Sequence, residues 1–510
     1  MSFPLLSALV LVPILSAVVV MLLPKQRSEL HMPVALALSL LPLALAGVLF
    51  AEFEKRASFQ FVEISDWYAP WGMSWHVGVD GISMPLIVLT AILVPISLAA
   101  SVNITDRVRL FAAMVLFLEA CLFGVFISLD LILFFLFFEA ILIPMYFIIG
   151  IWGSEERIYA AVKFFLYTAF GSAVMLGAIV ALGTISSRET GFVTFDYLRL
   201  LDVTLTGTEQ YWLFAAFAVA FAIKVPIVPF HTWLPDAHVQ APTAGSVLLA
   251  GVMLKLGTYG LLRFNLTLFP EASVDAVPIM ATLGVMGIVY GAVVAIAQTD
   301  LKKLVAYSSV SHLGFIVLGI FALTQGALEG GVIQMINHGL TTGALFLLVG
   351  MLYERRQTKK IDDFGGIAKV MPIYAGLFLF SIFASIGLPG LAGFVGEFMI
   401  LVGSYASLPG YAVVAASGVI LAAIYFLWAY ERVFTGKITK EENASLSDMN
   451  AREISLMVPL VILILVLGLY PKVLLDRISP STDGVLERIA ATTEYEVPES
   501  ALPLGGGAHE

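Results

Sequence analysis

The chain has 510 residues, 60% of them hydrophobic and 13% charged, with a formal net charge of −10. With a mean hydropathy of +0.96, this composition belongs to an all-α polytopic membrane protein and gives no reason to expect a nucleic-acid partner. The single cysteine, Cys121, rules out an internal disulfide, a CxxCH haem attachment and an iron–sulfur cluster held by this chain alone.

A membrane-spanning helix needs roughly 20 apolar residues. By that measure the sequence predicts 14 spans, near 4–23, 32–51, 82–101, 110–129, 131–151, 161–184, 211–230, 243–262, 277–298, 304–324, 331–352, 371–407, 411–430 and 454–471. The first lacks a basic n-region and an A-x-A-like cleavage site, so it reads as a span and not as a signal peptide. Between the second and third lies FVEISDWYAPWGMSWHVGVDGIS. Its short alternating pieces and glycines predict an external hairpin near 58–81. No Walker loop is present, and no GxGxxG follows a strand.

Positive charge decides sidedness. With the N-terminus outside, inner loops hold 17 of the 27 Lys and Arg residues and outer loops hold 8, Arg263 among the latter. Lys224 and Lys255 remain within spans. The bias predicts both termini on the outer side.

Two spans carry breaks. The seventh contains Lys224-Val-Pro-Ile-Val-Pro229, and proline removes a backbone donor and clashes with the preceding turn. The twelfth is too long for one straight crossing and is interrupted by Gly387-Leu-Pro-Gly390. Broken helices at corresponding positions of two halves point to inverted repeats. This predicts N-terminal helices with the hairpin over 1–109, a first five-helix repeat over 110–270 and a second over 271–435. A last helix and an external C-terminal tail would fill 436–510.

Five ionisable residues lie deep in apolar runs: Glu139, Lys224, Lys255, His338 and Glu397. At 1.5 Å per residue, Lys224 and Lys255 are each roughly 18 Å into their runs, and Glu139 about 12 Å. A charge at such depth costs several kcal/mol, so these residues usually line an ion or proton path. Burial disfavours the charged form of a side chain and a nearby opposite charge favours it. A Glu139–Lys224 pair would therefore hold a proton on the lysine when close and release it when apart. A swing of about three pH units is worth about 4 kcal/mol, near the cost of moving one charge against roughly 180 mV. His312, His231, His238 and Lys163 are further candidates for the route, each with a structural reading as core, cap or snorkelling residue. Asp130 reads as an interfacial helix cap. His312 and His338, on successive spans, also allow a bis-histidine haem, which would leave two lysines and two glutamates unexplained.

The motifs FFEAILIPMYFIIGIWG, AFAIKVPIVPFHTWLPDAHVQAPTAGSVLLAGVMLKLGTYGLLRF and GLPGLAGFVGEF closely resemble the antiporter-like subunits of respiratory complex I, over nearly the whole chain. Glu397 on the twelfth span, and the absence of a long lateral helix at the C-terminus, favour the subunit M (chain 4) branch over lysine-bearing relatives. The resemblance implies two proton half-channels joined by a hydrated axis, with Glu139 and Lys224 at the inlet, Lys255 and His338 in the middle and Glu397 at the exit. It implies no cofactor in this subunit, since flavin, iron–sulfur clusters and quinone sites belong to partner subunits. It also implies subunits L and N as lateral neighbours, and a place in a bacterial inner membrane with periplasmic termini. A sodium/proton antiporter subunit of the same fold and a hydrogenase-linked membrane subunit are the alternatives.

Overall fold

A computed structural model describes residues 3–438 and 440–498. Long apolar helices dominate: α1 (Leu5–Leu22), α2 (Ser28–Glu52), α3 (Ser83–Ala100), α4 (Val108–Ile127), α5 (Leu131–Trp152) and α6 (Arg157–Thr190). After α7 (Gly207–Lys224) and the short α8 (Trp233–Gln240) come α9 (Thr243–Leu268), α10 (Val277–Ile296), α11 (Leu301–Phe321) and α12 (Gln325–Arg356). Then α13 (Pro372–Ser385) and α14 (Ala392–Ser407) form one interrupted pair. The chain continues with α15 (Pro409–Phe434), α16 (Ala451–Leu469) and α17 (Lys472–Thr492). Twelve helices among the described residues are long and apolar enough to cross a membrane.

Segment 60–79 is an antiparallel hairpin, β1 (Gln60–Tyr68) and β2 (Met73–Val79), with Ile64 opposite His76. It clasps helix ends: Leu129 N donates to His76 O at 2.8 Å, and His76 Nδ1 meets Asp196 Oδ2 at 2.6 Å. Burial works against the Asp196 carboxylate, yet the His76 hydrogen bond holds its pKa below the ordinary value. Asp130 caps α5 as expected, accepting from Ile132 N and Leu133 N, and also takes Ser74 N of the hairpin. This clasp marks one end of the molecule, the hairpin face.

The two breaks have different chemistry. α7 is started by a Thr206–Glu209 capping box and stops at Lys224, just before Pro226. Trp233 Nε1 donates to Ile223 O at 2.9 Å, satisfying a carbonyl near the helix end. Between α13 and α14 the turn is made by glycines, with Gly387 at φ +77° and Gly390 at +91°. A side chain at either would be strained.

One expectation needs correction. Arg263 does not lie in an outer loop: α9 runs on to Leu268, and Arg263 is buried beside Asp80. The described part of the C-terminal tail contains the 21-residue helix α17, which hydropathy alone did not announce. Its Leu474, Ile478, Val485, Leu486 and Ile489 recur at helical spacing and are buried. They lay it against the hairpin-face ends of other helices, where Gly81 N donates to Ser481 Oγ at 2.9 Å.

Candidate functional site

The centre of the site is made by a close helix crossing. A Cβ on Gly339 of α12 would lie 2.7 Å from Gly251 O of α9 and 2.6 Å from Leu89 of α3. Only two glycines let these backbones approach so far, a common device where helices pack within lipid. Around Gly251 the α9 backbone widens into a π-helical turn, Leu249–Met253. Such turns free carbonyls from the helical ladder, and Lys255 Nζ donates to Ala250 O. The same ammonium reaches across the crossing to His338 Nδ1 at 2.7 Å. Lys255 is 0% exposed and His338 2%.

From His338 the arrangement continues to the second break. The His338 and His312 rings are 5.8 Å apart between centroids. His312 Nδ1 meets Glu397 Oε1 at 2.6 Å, and Gln334 Nε2 donates to the same oxygen at 3.0 Å. Tyr425 OH approaches His312 Nε2 at 3.4 Å. A Cβ on Gly387 would stand 3.5 Å from Glu397 Oε2, so the break opens directly onto this carboxylate. The haem alternative fails here on geometry. Both histidines turn Nδ1 to other partners and His312 turns Nε2 to Tyr425, so no nitrogen pair faces a shared iron.

The other break holds Glu139 and Lys224. Lys224 Nζ is buried with no hydrogen-bond partner among the described residues and lies 4.7 Å over the Phe138 ring. Glu139 Oε1 is likewise without a partner, and no direct ion pair joins the two among the described residues. The two side chains lie within electrostatic reach of each other without a direct hydrogen bond among the described residues. Lys224 is near α9, since Gly257 there packs against Phe221 O of α7 and Val225 just beyond its end.

The remaining candidates cluster around α8. His238 is fully buried, with both ring nitrogens unpartnered among the described residues and its ring stacked on Phe346 at 4.5 Å. His231 stands edge-on to Tyr290 at 5.1 Å. Lys163 does not snorkel freely but pairs with Asp236 at 2.7 Å. Thus Lys255, His338, His312 and Glu397 are brought together in one line. Glu139, Lys224, His231, His238 and Lys163 make no hydrogen bond to it among the described residues, with His238 close enough to act on Lys255 and His338 through its charge.

Several residues escaped the sequence reading. Gln334 and Asn337 precede His338 by four and one positions, and Asn337 Nδ2 donates to Ala392 O at 2.6 Å across the second break. Two amides beside a histidine in an apolar run were a usable signal. Tyr425 sits in an aromatic stretch that gave none. Glu119 on α4 is fully buried with both carboxyl oxygens unpartnered among the described residues. As a lone acid in an apolar run, it carried the same signal as Glu397.

The glycine crossing gives a test of its own. Gly339→Ala places a methyl against a backbone oxygen that cannot rotate away. Overpacking of this kind costs about 1–3 kcal/mol. The expected outcome is a modest loss of thermal stability in the purified protein, read as a lowered unfolding midpoint.

Comparison with known proteins agrees with this architecture. The family model described as NADH:quinone oxidoreductase/Mrp antiporter, transmembrane, matches residues 128–425, and that of the NADH-ubiquinone oxidoreductase chain 4 amino terminus matches 9–125. NADH-quinone oxidoreductase subunit M of Rhodobacter capsulatus is 47% identical, over 90% of this chain and 91% of its own. NADH-ubiquinone oxidoreductase chain 4 of Marchantia polymorpha is 41% identical, over 94% and 97%. A chain of respiratory complex I from Thermus thermophilus superposes with a TM-score of 0.87 at 31% identity, covering 95% of this chain and 99% of that one. A chain of the Mrp complex from Dietzia, at 21% identity and a TM-score of 0.84, shares the fold. With one family model spanning more than half of its length and close relatives along nearly all of it, the chain belongs to the NADH-quinone oxidoreductase subunit M (chain 4) family of complex I membrane subunits.

Proposed function

We propose that the chain carries protons across the membrane as a translocating subunit of a bacterial NADH:quinone oxidoreductase, through a buried route of ionisable side chains. The observation that carries this reading is the line Lys255–His338–His312–Glu397, two of whose links are direct contacts of 2.7 and 2.6 Å between buried groups. Buried ionisable groups that serve only packing are normally fully paired. Here His338 Nε2 and Lys224 Nζ have no partner among the described residues, which leaves both free to bond a passing water. In this reading Glu139 and Lys224 load the route, with Lys163, His231 and His238 on its approach. Lys255 and His338 relay, and Glu397 discharges.

The topology that goes with this counts each interrupted pair as one crossing. That gives 14 crossings, with inverted repeats over 110–270 and 271–435 and both termini periplasmic. Flavin, iron–sulfur clusters and quinone would sit in partner subunits, and subunits L and N would flank this chain. Exposed apolar rows such as Ile158, Leu166 and Phe170 on α6 suit lipid or a neighbouring helix.

The test is a pair of variants at the two ends of the route, Lys224→Ala and Glu397→Gln, in assembled complex reconstituted into liposomes. The expected result is fewer protons moved per NADH oxidised in both. Normal assembly together with a wild-type ratio in both variants would refute the route.

A further inference from the structure

Glu397 is held through one of its oxygens. Oε1 meets His312 Nδ1 at 2.6 Å and accepts from Gln334 Nε2 at 3.0 Å, whereas Oε2 takes no hydrogen bond among the described residues. A proton that reaches this carboxyl through His312 therefore arrives on the engaged side. The free oxygen is the one able to meet a further partner. Helix packing around α14 is closed to any such partner. A Cβ on Gly393 would press into Ala384 O, one on Gly396 into Gln334 and one on Gly403 into Ala327.

Room remains at the turn between α13 and α14. A Cβ built on Gly387 would find Glu397 Oε2 as its nearest neighbour, at 3.5 Å, followed by Phe394 Cα at 3.7 Å. These are ordinary contact distances, so the spot beside Oε2 is a hollow large enough for a methyl group. The end of α13 and the first turn of α14 frame it, and terminal backbone groups of helices lack helical partners. A bound water needs a few polar partners of this kind. Leu388, next in the chain, is 43% exposed, so the hollow lies just beneath the molecular surface. Non-helical backbone within a membrane crossing is tolerated only inside protein or beside water.

Backbone conformation does not distinguish the two glycines of this turn. Gly387 at φ +77° and Gly390 at φ +91° both occupy the left-handed region that favours glycine. Their surroundings do differ. A Cβ on Gly390 would meet Leu469 at 3.8 Å, with the Glu397 carboxyl beyond 4 Å. Only at position 387 does the missing side chain leave space beside the free oxygen.

Resting on the proton route above, we propose that this hollow seats the water that takes the proton from Glu397 Oε2, and that Gly387 is the positioning residue that keeps the seat open. In this step the Oε2–H bond breaks and the water accepts the proton, becoming a hydronium ion that departs past Leu388. Glu397 is left as a carboxylate, with Oε1 still held by His312 and Gln334. The next proton delivered through His312 restores the acid.

The experiment compares Gly387→Ala, Gly390→Ala and Glu397→Gln in assembled complex in liposomes, read as protons moved per NADH oxidised. Alanine imposes the same left-handed strain at both glycines, but only at 387 does its methyl take the seat. Gly387→Ala is expected to lower the ratio to the Glu397→Gln value, while Gly390→Ala keeps the wild-type ratio. An equal lowering in both glycine variants assigns the effect to a strained turn and overturns the seat. A wild-type ratio in Gly387→Ala beside a lowered one in Glu397→Gln also overturns the seat and leaves the route standing. A wild-type ratio in Glu397→Gln overturns the route itself, and the seat with it. If Gly387→Ala does not assemble, Gly387→Asn and Gly390→Asn replace the pair, because asparagine visits the left-handed region more readily. The asparagine amide fills the seat without carrying a proton, so the same split is expected, and equal ratios in the two variants overturn the proposal.

Discussion

Lys255→Met is expected to stop proton transfer through this chain while the complex still assembles. Methionine matches the length and apolar stem of lysine but has neither the charge nor the donors. Two buried acceptors, Ala250 O and His338 Nδ1, lose their ammonium. Each such loss costs about 1–3 kcal/mol, against a chain whose fold rests on many helix contacts. The transport effect is larger in kind. On the proposed route a proton would then cross the gap between Lys224 and His338 with no carrier in between, and a charge without a partner at mid-bilayer costs at least about 2.5–3.5 kcal/mol. At about 1.4 kcal/mol per tenfold in rate, flux through the chain falls about a hundredfold. Lys255→Arg separates charge from proton exchange. Arginine keeps the charge and can reach both acceptors, yet it does not deprotonate in proteins. It should support assembly better than methionine and pump no better. Proton flux in reconstituted complex, with assembly verified on native gels, gives both readings. Wild-type pumping by Lys255→Arg would mean that the lysine acts only as a fixed charge.

Why that lysine matters was only half legible in the sequence. Its depth and its isolation in SVLLAGVMLKLGTYGLL mark it out, since a central charge in an apolar run is costly whatever the fold. The apolar runs, the hairpin and both helix breaks were legible for the same reason: proline, glycine and hydropathy act locally. What Lys255 touches is not local. Its contact with His338 depends on two glycines 88 positions apart meeting at a crossing, and on a π-helical turn that no residue in Leu249–Met253 announces. The His312–Glu397 contact likewise joins residues 85 apart. The Glu139–Lys224 pair shows the converse. Sequence named both residues, but not that Lys224 ends α7 with its ammonium over the Phe138 ring. α17 was missed because length and apolarity find spans, whereas its polar residues place it on the hairpin face with only one side buried.

Arg263→Met is expected to have the largest effect on stability of any single change outside the route. The Arg263 guanidinium pairs with Asp80 where both are almost fully buried, and it is ringed by Phe59, Tyr259 and Tyr197 at 5.0, 5.6 and 6.0 Å. Asp80 Oδ1 meanwhile accepts from Ile82 N and Ser83 N at the start of α3. Removing the arginine leaves that carboxylate charged, buried and short of its counter-ion. Breaking a buried pair in this way costs about 3–5 kcal/mol. The pair also ties α9 to α3 two turns from Lys255, so the loss is transmitted to the rotation of the helix that presents the lysine. Asp80→Asn/Arg263→Met removes both charges and keeps an amide oxygen for the two backbone donors, so it should recover much of the loss. The measurement is the thermal midpoint of detergent-solubilised complex. If the single and double variants are equally destabilised, the effect is lost packing on the aromatic ring cluster. A clear recovery in the double variant assigns it to the stranded charge, and the sequence had counted that arginine only as one more residue of an outer loop.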